Sequence, residues 1–207
     1  MLEMRFDYVY IDNMTVKDNS VNIKGDARSY HHGDLREAAV LEGLRLLQIA
    51  SVEDLSLRAI ARNVGVSATA LYRHFPDKQA LLQALAQEGI DKLGAEQKLA
   101  MDAAGGGVDG FVASGRAYVH FALAHPALFR LVMSCQFGET SGAEDSDAMA
   151  LLKKCVADVY VGSNEQEQSV AVLRAWGMVH GIAMLMLDGH LPADDAIIEG
   201  VIHPNYV

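Results

Sequence analysis

The 207-residue sequence predicts an all-α chain. Two observations carry this. From about Asp34 onward apolar residues recur at i, i+3, i+4 and i+7 almost without a break, and no run alternates apolar and polar residues as a half-buried strand would. Punctuation agrees, because glycines, prolines and cap residues fall between the periodic stretches.

Residues 1–27 carry no helical period. They are polar and acidic, with three basic residues against five acidic ones, and read as an extension: a disordered arm, a fold-back segment, or an overextended start with Met14 as the alternative initiator. Glu3, Asp7, Asp12 and Asp18 stand where a secretory leader would need an apolar run. The expected location is the cytoplasm, and Cys135 and Cys155 are too few and too unpatterned for a disulfide scaffold.

The first helix is expected near Asp34, with Val40, Leu44 and Leu47 on one stripe, ending before Ser51. Ser56 then caps a second short helix whose Leu57, Ile60, Ala61 and Val64 share a face. Gly65 tolerates the left-handed conformation at a helix end, Val66 plugs the space between helices, and Ser67 caps a third helix from Ala68 to about His74. Its Leu71 and Phe75 point inward, leaving Thr69, Tyr72 and Arg73 outside. Pro76 stops it and Asp77 caps a fourth helix to about Ala103.

This spacing is that of a helix-turn-helix, the unit that lays its second helix in the major groove of DNA. Small Ala68 and Thr69 let the backbone approach base edges, Tyr72 and Arg73 offer hydrogen bonds, and Lys78 adds a cation beside a helix N-terminus, where a phosphate is attracted. Arg28 and Tyr30-His31-His32 stand ready to reach phosphate beside the first helix. The net charge of −10 does not argue for DNA until it is divided along the chain: residues 28–78 hold seven basic and six acidic residues, whereas 79–207 hold seven and sixteen.

The stretch LSLRAIARNVGVSATALYRHFPDKQALL, Leu55 to Leu82, with its Gly-Val-Ser turn, Leu-Tyr pair and Phe-Pro-x-Lys step, resembles the head of the tetracycline-repressor (TetR) family of bacterial regulators. The resemblance implies that Thr69, Tyr72 and His74 face the groove, that Ser67 and Lys78 contact phosphate, and that Arg58 flanks the backbone. Ala68 replaces a larger or more polar residue of many relatives, which weakens the case for direct base reading there. Trp176 with Val179-His180-Gly181, and His125 to Met133, resemble family regulatory domains that carry a Trp and a His-Gly pair on a long helix (the WHG type).

Beyond residue 103 the expected order is a Gly105-Gly106-Gly107 break, a helix to Ala124, a short one over Pro126–Ser134, an acidic connection over Gln136–Ser146, helices over Asp147–Val161 and Asn164–Leu187, and a last short one after Pro192. The domains follow: an extension (1–27), a DNA-binding head (28–80), and a regulatory and dimerisation domain (81–207). Ser169–Leu187 is long enough to span a bilayer, but central Arg174 and many small residues argue for helix packing instead. Its two apolar stripes, Val170-Leu173-Gly177-His180-Met184-Leu187 and Val172-Trp176-Val179-Ala183-Met186, need two burying partners, one of them a second subunit.

The expected protein is therefore a homodimer joined through helices at about 164–187 and 194–203, reading a palindromic operator in double-stranded DNA with two heads roughly 34–36 Å apart. A small, mostly apolar effector in the helical body, near His120, Phe121, Met133, Trp176, His180 and Met184, would release it. The alternative is a DNA-binding regulator without an effector, set by a partner or by abundance. His120, His125 and His180 lack the HExxH or carboxylate company of a metal or catalytic site. No cofactor, metal, membrane or enzymatic activity is expected.

Overall fold

Side-chain caps start the helices where the sequence places them. Ser56, Ser67 and Asp77 accept the backbone N–H of Ala59, Ala70 and Ala80, and Asn164 with Glu167 closes a reciprocal capping box. The computed structural model describes residues 32–136 and 147–204. The expected N-terminal arm, Arg28, Tyr30 and His31, the side chain of His32, and nearly all of the acidic connection lie outside the described residues.

Nine helices lie among the described residues: α1 (His32–Leu46), α2 (Leu57–Asn63), α3 (Ala68–Tyr72), α4 (Lys78–Ala103), α5 (Gly107–Ala124), α6 (Pro126–Gln136), α7 (Asp147–Val159), α8 (Glu165–Leu187) and α9 (Asp195–Val201). The all-α expectation holds, and boundaries shift by up to four residues where a helix ends in a turn rather than at a breaker; the first helix, expected to end before Ser51, stops at Leu46, so Leu47 lies in the turn beyond it. The third helix stops at Tyr72 rather than His74, and the seventh at Val159 rather than Val161.

In the head, α1, α2, α3 and the first turns of α4 enclose one core. Leu35, Ala39, Val40, Leu57, Ile60, Ala61, Leu71, Phe75, Leu81 and Leu85 are all buried in it. Ile60, Leu71, Phe75, Leu81 and Leu85 lose essentially all solvent contact; full burial of such side chains stabilises by roughly 1.5–3 kcal/mol each before entropy is counted.

The body is built on α4, which packs against α5, α6 and α7, while α8 packs against α5 and α7. At Gly89 the approach of α4 to α6 is so close that a Cβ would stand 2.6 Å from Val132 and 2.9 Å from Leu128. Three successive glycines with φ of 82°, 75° and 59° turn the chain from α4 into α5, a backbone path that L side chains resist. Arg116 of α5 donates to the carbonyls of Glu199 and Ile202, tying down the C-terminal end of α9. The described residues form one packed unit, and the border expected at residue 80 falls inside α4, which serves both head and body.

One stripe of α8 is covered within the chain: Ala171, Val179, Ile182, Ala183 and Met186 are buried. The opposite side is open, with Leu173 64% exposed and Val170 and Leu185 also exposed. Among the described residues α8 alone is long and apolar enough to cross a membrane by length and composition.

Candidate nucleic-acid interface and regulatory cavity

The posture of α3 is set from both sides. Gly65, at φ +78°, ends α2, and the Val66 N–H returns to the Ala61 carbonyl at 2.9 Å, so the turn is short and its glycine takes a conformation other residues avoid. Beneath α3, Leu71 and Phe75 are fully buried, and the Arg36 guanidinium of α1 lies 5.5 Å from the centre of the Phe75 ring. Asn63 of α2 donates to Glu42 of α1 at 2.7 Å, and Arg45 grips the same carboxylate through two bonds of 2.8 Å. The Arg45 bonds, ahead of the opposing effect of burial, hold the Glu42 carboxyl below its usual range.

Outward from this platform, Ser67, Thr69, Tyr72 and Arg73 are exposed on one side of α3, and Arg58 is exposed on α2. Tyr72 is 42% exposed although aromatic, and nothing in the head core requires it. His74 is half-buried. Ala68 is half-buried against the core, so its methyl is a packing group. Lys78 is engaged: its Nζ donates to the Glu53 carbonyl in the α1–α2 turn at 2.8 Å. That turn is braced further by Ser51, whose hydroxyl and N–H both donate to Asp54. The Lys78 bond was not legible in the sequence, since it joins residues 25 apart.

In the body, α4, α5, α6, α7 and α8 surround a cavity of about 50 Å³. Its wall includes Ile90, Leu93 and Gln97 of α4, Phe111, Ser114 and Tyr118 of α5, Met133 of α6, Met149 and Leu152 of α7, and Trp176 and Val179 of α8. A neighbouring cavity of about 130 Å³ shares Phe111, Gly115, Ala175 and Val179 with it. Of the residues expected in a pocket, Met133 and Trp176 line the first cavity.

His180 sits behind that wall. The Tyr118 hydroxyl lies 3.0 Å from His180 Nδ1, and the Trp176 indole hydrogen-bonds to the same hydroxyl. Burial pushes the Tyr118 phenol up to about 12 and the His180 imidazole down. Both are therefore neutral near pH 7, and the imidazole tautomer sets the direction of the bond between them. The rings of Trp176 and Phe129 flank the imidazole at 6.2 and 5.8 Å.

The other three residues sit elsewhere. His120 is half-exposed, with Nδ1 3.8 Å from Asp195 of α9; the helical period puts it on the side of α5 opposite Phe111, Ser114 and Tyr118, away from the cavity. Phe121 is fully buried in the general core, against the His125 ring, and Met184 packs half-buried against the same core. Gln97, Ser114 and Tyr118 were missed. Gln97 had left a trace, since it is the polar member of the stripe Ile90, Leu93, Gly94 and Gln97, all buried.

A polar helix held by a rigid turn over a closed three-helix core, joined through one long helix to a body with an internal cavity, defines a helix-turn-helix DNA-binding regulator. Residues 42–85 match the bacterial regulatory proteins of the tetR family, and residues 111–202 match the tetracyclin repressor-like C-terminal domain. The tetracycline repressor protein class C of Escherichia coli is 46% identical over 52 residues, 25% of this chain and 24% of that protein, a likeness to about a quarter of its length. Among solved structures, a protein of unknown function from Rhodococcus sp. RHA1 is 33% identical with a TM-score of 0.70, covering 84% of this chain and 93% of that one. A TetR family transcription regulator from Marinobacter aquaeolei VT8, at 19% identity and a TM-score of 0.57 over 83% of this chain and 93% of that one, shares the fold. The chain belongs to the TetR family of DNA-binding transcriptional regulators, whose members are not enzymes.

Proposed function

We propose that the chain is a cytoplasmic homodimeric repressor that leaves a palindromic operator when an apolar small molecule enters the body. The observation that carries the proposal is the division of α3 into a fully buried side, Leu71 with Phe75 beneath, and an exposed polar side, Ser67, Thr69, Tyr72 and Arg73. Arg58, Ala68 and His74 flank the contact. Lys78, with one ammonium proton on Glu53, keeps two for phosphate.

The second subunit covers the open side of α8, where Val170, Leu173 and Leu185 are exposed and a Cβ at Gly177 or Gly181 would meet nothing within 4 Å, together with exposed Val201 of α9. The likeness of Trp176 and Val179-His180-Gly181 to WHG-type regulatory domains supports this assignment of the long helix. With little net positive charge in the head, affinity comes from two heads at fixed spacing.

Release works through α4. Its Ile90, Leu93 and Gln97 line the cavity while its Leu81 and Leu85 belong to the head core, so a ligand that prefers one position of α4 biases the spacing of the recognition helices. A second reading rests on the cavity's volume. At about 50 Å³ it is far below the ~300–1,000 Å³ of common ligand sites, as expected of a regulator set by a partner or by abundance. Selecting DNA from a random pool with the purified protein, then titrating the selected duplex with apolar compounds while following Trp176 emission and light scattering, tests the proposal. The expected result is a palindromic site, a dimer, and release coupled to an emission change. A monomer at micromolar concentration contradicts the dimer, and an operator that no compound releases favours the second reading.

A further inference from the structure

Among the described residues of the cavity wall, Gln97 carries an unmatched polar atom. Gln97 is 9% exposed, and its Nε2 donates to the Ser114 carbonyl at 3.3 Å. Its Oε1 is buried with no hydrogen-bond partner, alone in this among the described residues. The amide cannot be turned over, because a carbonyl accepts and never donates, so the NH₂ must face Ser114 and the oxygen must be the orphan. A buried acceptor left unbonded weakens the fold.

The hydroxyl protons of the described wall residues are already placed. The Ser114 hydroxyl donates to the Phe111 carbonyl at 2.8 Å, and the Tyr118 hydroxyl is taken by His180 and Met133. Among the described residues no Lys, Arg, His, Asp or Glu lines the cavity, so an ionised group entering it would lose its water without gaining a counter-charge from them.

We propose that the effector is an uncharged, mainly apolar molecule bearing a hydroxyl or amide N–H, which it donates to Gln97 Oε1. This rests on the ligand-responsive reading above. A ketone or ether in the same place would set lone pair against lone pair, and a hydrocarbon would leave the oxygen as it is. The present volume, about 50 Å³, lies below the ~150 Å³ of an engineered cavity that accepts benzene. Binding must therefore widen the space, and Met133 and Met149 are the wall side chains that reshape at least cost.

Phenol, toluene and benzoate, nearly equal in shape, separate the terms. Each is titrated into the wild-type dimer and Gln97→Leu on selected operator DNA, reading Trp176 emission and DNA release. Phenol is expected to act at roughly tenfold lower concentration than toluene, benzoate to be inert, and the preference for phenol to vanish in Gln97→Leu. Equal action of phenol and toluene, or a preference that survives in Gln97→Leu, overturns the proposal and leaves the ligand-responsive reading standing. If none of the three changes either readout, this proposal is overturned, and the ligand-responsive reading is decided by the wider titration with apolar compounds. Thermal melting without ligand supplies an independent check. Loss of an orphaned acceptor should let Gln97→Leu melt at or above the wild-type temperature, whereas a fall of several degrees marks Gln97 as structural and overturns the proposal.

Discussion

In the head, every buried side-chain polar group among the described residues is matched; in the body, one is not. The turns around α2 and α3 are tied by Ser56, Ser67 and Asp77 caps, by Asn63 and Arg45 on Glu42, and by Lys78 on Glu53. The body carries an unbonded Gln97 oxygen, a cavity of about 50 Å³ and an open apolar side of α8. A reading head has to hold a few side chains in fixed positions, so complete hydrogen-bond pairing serves it. Under the proposed function the body takes up a ligand and a second subunit, which needs room and uncommitted surface, and its incompleteness marks where binding energy is to be gained.

The difference is broken most forcefully by emptying the head core. Phe75→Ala removes a fully buried ring and its contact with Arg36, and chemical denaturation should show a loss of about 3–5 kcal/mol. Leu152→Ala, half-buried beside a space already unfilled, should cost less than half as much. Equal costs would mean that the two regions are packed alike.

At the joint between the regions, Gly89→Ala pushes a methyl to 2.6 Å from Val132 and 2.9 Å from Leu128. A net destabilisation of about 1–3 kcal/mol is expected in the same assay, the overpacking outweighing the gain in helix propensity. Ser67→Ala deletes the cap on the Ala70 N–H and should cost about 1 kcal/mol, with weaker DNA binding because α3 frays at its reading end.

The smallest effect is on pH. Burial depresses the His180 imidazole below its ordinary 6.5, so the folded protein binds fewer protons than the unfolded chain as pH falls past that value. The stability from neutral His180 is fully present above pH 6.5 and is lost as pH falls through the depressed value. His125, lowered by burial and then by Lys92, adds in the same direction. Melting temperatures measured between neutral and mildly acid pH should therefore fall, and fall less in His180→Gln.

The head was legible because its signals are local. A serine before an apolar stripe, a glycine after it and a proline beyond the next helix each act within a few residues, and Ser56, Gly65, Ser67, Pro76 and Asp77 all sit where they announce themselves. The cavity was only half legible. Trp176 and Met133 could be picked out as large apolar residues in the body, but the wall is formed by five helices whose facing sides depend on how they dock. His120 shows the cost: its helix was identified, yet only the docking of α9 beside it decides that it faces Asp195 at 3.8 Å. His180 looked similar in sequence and is a neutral partner of Tyr118. Gln97 could have been found as the polar interruption of a buried stripe.

The central claim is that the exposed side of α3 reads DNA while its buried side only supports it. Titration of a selected operator duplex with wild-type protein and with Tyr72→Ala, alongside the melting temperature of each, tests this most directly. Tyr72→Ala is expected to weaken binding by about tenfold or more, a loss of one good contact of roughly 1–3 kcal/mol, with its melting temperature unchanged and its dimer intact. Equal affinity of the two proteins for that duplex would contradict the claim.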